Sequence, residues 1–140
     1  MKTLAFTIAF AFISILGFGQ ETTGVIITVN INQIKNDDGH ILLGLHTSET
    51  FMKADAIQKV KSEIKDGKIT ATFTNVPTGT YAIMVLHDEN DNKNMDFEPN
   101  GMPQEAYGMS NNPTLYGPPQ FSDAQFEVAD KDLEFKISLM

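Results

Sequence analysis

A run of alternating acidic and amide side chains between residues 87 and 96 is the segment of this sequence with the clearest chemistry. Asp88, Asn90, Asn92 and Asp96 occupy the first, third, fifth and ninth positions of a short loop. Calcium in proteins takes about six to eight oxygen ligands from carboxylates, amide side chains and backbone carbonyls. The spacing therefore predicts a calcium site, to which the seventh position contributes its backbone carbonyl.

The run departs from the helix–loop–helix calcium motif at two positions. Lys93 stands at the sixth position, where that motif has Gly, and Pro99 stands at the twelfth, where it has a bidentate Glu. The alternative is a polar loop whose Asp and Asn side chains hydrogen-bond to their own backbone as Asx turns. From the residues alone, a weak extracellular-type calcium site and an Asx-rich loop both stay open.

His87, Glu98 and Glu105 are candidate groups for a small hydrolase-like enzyme. His87 beside Asp88 offers a general base, and Glu98 with Glu105 offers a carboxylate pair of the kind that glycosidases use. Neighbouring residues of a strand point to opposite faces, however, so His87 and Asp88 do not pair easily. We therefore predict a non-catalytic binding module and keep the enzyme as the alternative.

A segment of more than thirty residues, 88–120, follows the predicted central strand and has almost no strand pattern. Loops of that length in compact domains are usually functional or disordered, and Tyr107 and Tyr116 argue against simple disorder. We predict that this 88–120 loop binds an extracytoplasmic ligand or partner protein. The candidate contact residues are His87, Glu105, Tyr107, Asn111 and Asn112.

Three ordered motifs resemble those of a bacterial secreted family, the domain of unknown function numbered 2141. They are residues 79–92 (GTYAIMVLHDENDN), residues 101–112 (GMPQEAYGMSNN) and residues 117–124 (GPPQFSDA). The resemblance implies an exported β-sandwich of immunoglobulin or prealbumin type. It implies no activity, because none is established for the family. Lys93 stands where the family often has Gly.

Period-two alternation of apolar residues predicts the strands that must position these groups. It covers residues 25–31, 41–45, 69–73 and 133–139, whereas residues 81–86 are apolar on both faces and predict a central strand. A short helical turn near 49–53, followed by another strand, is expected before the Asp66-Gly67 hairpin turn. The prediction is an all-β fold, a single antiparallel β-sandwich that is immunoglobulin-like or prealbumin-like. The predicted core residues are Val25, Ile27, Val29, Leu43, Phe73, Ile83, Val85, Phe135 and Ile137.

Composition narrows the class of protein and its partners. The chain has 140 residues, a formal net charge of −8, no Cys and no Arg. The absence of Cys excludes disulfides, thiolate metal sites and cysteine nucleophiles. Nucleic acid and anionic membrane surfaces are not expected as partners, since both are recognised by clustered basic residues.

The first nineteen residues have the layout of a secretory signal peptide. Lys2 precedes an apolar run over residues 4–18, and Gly17 and Gly19 are small residues before a cleavage point. The apolar run, about fifteen residues, is shorter than the roughly 20 needed to span a bilayer. We expect a signal peptide at 1–19, one β-sandwich domain at 20–140, and export to the periplasm or the extracellular space without a membrane span after cleavage.

Overall fold

The computed structural model describes residues 24–140, in which nearly all regular structure is β-strand. In chain order the elements are β1 (Val25–Ile31), β2 (His40–His46), β3 (Gln58–Ser62), β4 (Ile69–Val76), β5 (Gly79–Asp88), β6 (Tyr107–Met109), the short helix α1 (Phe121–Ala124), β7 (Phe126–Val128) and β8 (Leu133–Lys136). The signal peptide predicted for residues 1–19 lies outside the described residues.

The strands form two sheets that face each other. The three-stranded sheet has the order β4-β1-β8, and the five-stranded sheet has the order β3-β2-β5-β6, with β7 also paired to β5. The predicted all-β sandwich is confirmed. Every strand pair among the described residues is antiparallel except β1–β8, which is parallel because the 129–132 turn carries the chain from β7 in one sheet to β8 in the other.

The core between the sheets consists of the inward-facing residues of the alternating strands. In β1, for example, Ile27, Val29 and Ile31 are fully buried, while the residues between them are not. All the predicted core residues are buried except Phe135, which is half-buried and packs on Phe126 with a centroid distance of 4.5 Å. Period-two alternation therefore identified the buried face correctly in β1, β2, β4 and β8.

The outer faces of the two sheets differ in polarity. On the three-stranded sheet, Thr70 Oγ1 donates to Asn30 Oδ1 at 2.8 Å, and Asn30 Nδ2 donates to Glu134 Oε1 at 2.9 Å. This face is polar and solvated. The outer face of the five-stranded sheet instead carries apolar side chains, including Leu42, Met84 and Leu86. Exposure of an apolar face to water is unfavourable, so other segments of the protein or a ligand are expected to cover it.

Two connections rise over that apolar face. In the first, Phe51 N donates to Thr47 O and Ala54 N donates to Thr50 O, both at 3.0 Å, which forms the expected helical turn before β3. The second is the 88–120 loop. This loop is not free of strands, because β6 inside it pairs with β5 through its three residues. The pairing was not apparent from the sequence, since three residues are too few to establish an alternation.

The end of the chain joins the two sheets beside β6. Ile137 N donates to Asn30 O at 3.1 Å in the three-stranded sheet, and Met140 N donates to Tyr107 O at 2.8 Å in the five-stranded sheet. Gly108 lies under this crossing, where an added Cβ would come within 2.6 Å of Ser138 O. Only Gly allows so close an approach of backbone to backbone, which accounts for the Gly in this motif.

Candidate functional site

A groove with a volume of about 630 Å³ crosses the outer face of the five-stranded sheet, and we call it the outer groove. Its floor is formed by Leu42 and Gly44 of β2, Met84 and Leu86 of β5, and Tyr107 of β6. Because residues that are directly opposite each other in paired strands point to the same face, strand register alone gathers these side chains. Most of the surface that lines the groove is apolar.

Strand register arranges the outer face in two rows that begin at the edge strand β3. The first row is Lys61, Leu42, Leu86 and Tyr107, and the second is Lys59, Gly44, Met84 and Met109. Each row therefore begins with a lysine and continues through apolar side chains. Gly44 lowers the floor in the middle of the second row, since any larger residue would place its Cβ 3.0 Å from the Ala56 Cβ.

The walls of the outer groove come from the two overlying connections. The first connection contributes Met52, Ala54 and Ala56, and the 88–120 loop contributes Met95 and Phe97, together with Pro103 and Pro119. Met52 and Phe97 are 59% and 58% exposed, which is high for large apolar side chains. Apolar side chains that rim a concave surface are characteristic of binding sites in soluble domains.

A second apolar cluster lies beside the groove, over the His46–Ala82 end of β2 and β5. Phe51, Met109 and Ala124 are buried there, and the Phe51 and Phe121 rings meet edge-on at 5.9 Å. Ser110 connects β5 to α1 within this cluster. Its Oγ accepts from Ile83 N at 3.0 Å and donates to Ala124 O at 2.5 Å. The predicted binding loop is thus held to the sheet by buried contacts.

The charges that line the outer groove oppose the overall charge of the chain. Lys59 Nζ lies 3.0 Å from Asp55 Oδ1, and Lys61 Nζ lies 3.9 Å from Asp91 Oδ1. Lys93 lines the groove too, and within residues 24–140 it forms no ion pair. Three lysines therefore line the groove against one carboxylate, that of Asp55, in a chain of formal net charge −8.

His46 of β2 also lines the outer groove, and the pKa of its imidazole is perturbed. Burial lowers the pKa of the His46 imidazole from its ordinary value, although the contact with Thr50 acts in the opposite direction. Its Nδ1 lies 3.2 Å from Thr50 Oγ1. The neutral imidazole therefore faces the groove near neutral pH.

The predicted calcium ligands lie together, but their polar atoms bind one another. Asp88 is buried, and its Oδ1 and Oδ2 accept from the backbone N–H groups of Asn92 and Lys93 at 3.2 and 2.8 Å. The side-chain amides of Asn90 and Asn92 donate to the carboxylate of Asp96 at 2.8–2.9 Å. Two side-chain amides thus hydrogen-bond to the Asp96 carboxylate.

The amide oxygens of the same loop form Asx turns. Asn90 Oδ1 accepts from Asn92 N at 3.2 Å, and Asn92 Oδ1 accepts from Asn94 N at 2.9 Å. In the part of the chain that the structure describes, no group of three His, Cys, Asp or Glu side chains is arranged to hold a metal ion. Calcium binding requires the two amides to turn their oxygens inward, and it stays a prediction.

Two of the three candidate catalytic side chains have structural partners. His87 is fully buried, and its Nε2 donates to Asp38 O at 2.8 Å. The Glu105 carboxylate accepts from the backbone N–H groups of Glu89 and Asp96 at 3.0 and 3.3 Å. Glu98 is exposed at the far end of the loop. None of the three lines the outer groove, so they do not converge on a common pocket.

Of the predicted ligand-contacting residues, only Tyr107 lines the groove. The Asn111 side chain donates to Gln125 O at 2.9 Å, and the Asn112 side chain donates to Lys136 O and accepts from Ser138 N, both at 2.8 Å. These two asparagines connect β6 to the chain around β7 and β8. Both adopt positive φ, which Asn tolerates.

Leu42, Met84, Leu86 and Phe97 are groove residues that sequence reasoning did not select. Leu42 carried a usable signal, because it lies between the inward-facing Ile41 and Leu43 and so breaks the alternation of β2. An apolar residue on the supposedly wet face of a strand indicates that something covers that face. Separately, no helix within residues 24–140 has the length and apolar character needed to span a bilayer.

Comparison with known proteins gives one family and a distant group of solved structures. The profile of a family described as "Uncharacterized protein conserved in bacteria (DUF2141)" matches residues 29–136. A search of curated proteins gives no match. One crystal form of the pilus-presented adhesin Spy0125 (Cpa) is 16% identical with a TM-score of 0.30, over 84% of this chain and 26% of that chain. A mutant of the same adhesin is 15% identical with a TM-score of 0.30, over 84% of this chain and 27% of the adhesin chain.

The chain spans about a quarter of the length of the adhesin chains that it matches. The family match, by contrast, extends over most of this chain, from within β1 to the end of β8. It also includes the three motifs that carried the resemblance in the sequence. The chain therefore belongs to the DUF2141 family of proteins conserved in bacteria.

Proposed function

We propose that this protein is an exported, non-catalytic binding module whose outer groove holds a small ligand with an apolar body. The observation that carries the proposal is the groove itself, about 630 Å³ of concave space over an apolar sheet face. Ligand pockets in proteins measure about 300–1,000 Å³ and are mostly apolar with a few polar groups. The 88–120 loop serves as one wall, which agrees with its predicted role in binding.

The anchoring of the loop favours binding over simple flexibility. Asp88 and Glu105 each accept two backbone N–H groups, and Ser110 joins the loop to β5 and α1. A wall that is already ordered loses little conformational entropy when a ligand enters. The groove is therefore suited to bind without a folding step.

Catalysis has less support from the same geometry. A general base must come within hydrogen-bond reach of its substrate, whereas His87 is fully buried and bound to a backbone carbonyl. Glu105 is buried and bound to backbone N–H groups, while Glu98 lies apart from it and exposed. The enzyme thus stays an alternative without a site that unites its candidate residues.

A neutral fluorescent probe tests the proposal on the exported protein. Nile red is expected to bind at one saturable site per chain with a rise in fluorescence. Leu86→Gln places an amide on the groove floor and is expected to weaken binding about fivefold, since the lost apolar contact is worth about 1 kcal/mol. Ile26→Gln, an apolar strand residue that is exposed on the outer face of the other sheet, is the matched control.

The control should bind Nile red as the wild type does. Unsaturable fluorescence, or equal affinity in wild type and Leu86→Gln with both folded by melting, would overturn the proposal. A melting scan of each variant separates loss of binding from loss of fold.

A further inference from the structure

We infer that the ligand of the outer groove is a free single-chain amphiphile with an anionic head, of the class of a medium-chain carboxylate. The head lies at the β3 edge, and the chain lies across β2 and β5. The inference rests on the proposed binding function and adds to it the chemical class of the ligand and its orientation.

The groove changes polarity along one direction. At the β3 edge, the outer face presents Lys59 and Lys61, and the next two strands present Leu42, Met84 and Leu86. A ligand with a charged end and an apolar end matches this order in only one orientation. A neutral apolar ligand makes no ionic contact with the lysines. A small dianion without an alkyl chain leaves the apolar floor exposed to water.

The length of the groove floor limits the length of the ligand's alkyl chain. Three strand spacings separate β3 from β6, or about 14 Å, which suits an extended chain on the order of ten carbons. Met52 and Met95 stand in opposite walls, and the adaptable thioether side chains of Met fit apolar ligands of varied shape.

The charges favour an anion at the β3 edge of the groove. The pair of Lys59 and Asp55 is 63% and 90% exposed, so it is weak and leaves the ammonium available to a ligand. Lys93 lines the groove as well. Because the whole chain carries −8, these lysines attract an anion locally while the rest of the surface repels it.

The shape favours a free amphiphile over a bilayer surface. The apolar floor lies between two walls, so a flat membrane meets the exposed rim residues Met52 and Phe97 before Leu42 or Leu86. Anionic membranes also repel a strongly acidic domain, since membrane attraction rests on clustered Lys and Arg. A monomeric amphiphile can enter the groove from the open side.

NMR titration of the ¹⁵N-labelled exported protein tests the inference with sodium decanoate, below its micelle concentration, and with decan-1-ol. Decanoate is expected to shift the Gly44 and Leu86 amides and to bind several-fold more tightly than decan-1-ol at low salt. Added salt should reduce this difference, because it screens exposed charges.

A variant without the groove lysines separates the contribution of the ligand's anionic head to affinity from that of its alkyl chain. The triple change Lys59→Gln, Lys61→Gln and Lys93→Gln is expected to weaken decanoate binding about eightfold, from about twofold for each exposed pair. The affinity for decan-1-ol should not change. Lys131→Gln, which removes an exposed lysine in the turn before β8, is the control and should bind decanoate as the wild type does.

Each other outcome has a defined meaning. Equal, lysine-independent affinities for decanoate and decan-1-ol, with shifts at Gly44, would overturn the anionic head and leave apolar binding intact. Absence of groove shifts with both probes would overturn the inference, and with a negative Nile red result it would overturn the proposed function too. Co-sedimentation with phosphatidylglycerol vesicles, without binding of monomeric decanoate, would assign the groove to a membrane surface instead.

Discussion

Glu105 is the side chain whose replacement should loosen the wall of the outer groove most directly. It is 6% exposed, and its two oxygens accept from Glu89 N and Asp96 N at 3.0 and 3.3 Å. Glu105→Gln keeps the shape of the side chain but puts an NH₂ group in place of one acceptor oxygen. One hydrogen bond is lost, and a backbone N–H is left facing another donor.

The magnitude follows from that single bond. A hydrogen bond to a charged group contributes about 1.5–3 kcal/mol, so we expect the free energy of opening to fall by about 2 kcal/mol. If the loop and the sandwich unfold together, the melting temperature falls by about 6–10 °C, given roughly 3–5 °C per kcal/mol in a domain of this size. If the loop opens alone, hydrogen exchange at the Glu89 and Asp96 amides accelerates by about 30-fold.

Thermal melting and amide exchange together make the assay, and Glu98→Gln is the matched control. Glu98 is an exposed carboxylate of the same loop, so its variant carries the same change in charge. We expect that control to match the wild type in both measurements. If Glu105→Gln also melted within about 1 °C of the wild type, with unchanged exchange at both amides, Glu105 would not hold the wall.

Three further predictions concern the core, the groove floor and the loop. Phe73→Ala should lower the free energy of unfolding by about 3–5 kcal/mol in chemical denaturation, because Phe73 is fully buried. Burial lowers the pKa of His46 below 6.5, so the unfolded state binds more protons than the folded state as the pH falls. The stability present above pH 6.5 is therefore lost as the pH falls through the folded pKa. His46→Gln should flatten this part of the plot of melting temperature against pH. After chelator treatment, millimolar calcium should stabilise the fold by about 1.4 kcal/mol at ten times Kd, measured as a rise in melting temperature. Asp88→Ala should abolish the gain, and an unchanged melting temperature of the wild type would leave an Asx-rich loop without metal.

Within single segments, the sequence determined which face is buried in the strands that show a clear alternation. Alternation along β1 and β4 placed Ile27, Val29 and Phe73 inside, and the two-faced apolar run placed β5 in the middle of its sheet. The motifs also identified the family correctly. These features are local, because a side-chain period of two residues is a property of one strand and needs no partner.

Only the tertiary structure decided which residues share the outer groove. Lys61, Leu42, Leu86 and Tyr107 form one row because three strand pairings bring together positions far apart in the chain. The candidate residues of the loop, in turn, bind backbone groups: Glu105 binds two N–H groups, and Asn112 bridges to the residues after β8. Residue types show which groups can form hydrogen bonds or bind ions, but partners distant in sequence are chosen by strand register and by burial of the apolar faces. Alternation thus predicted the residues of the core between the sheets. The segments that pack on the outer face of the five-stranded sheet depended instead on how the whole chain folds back on itself.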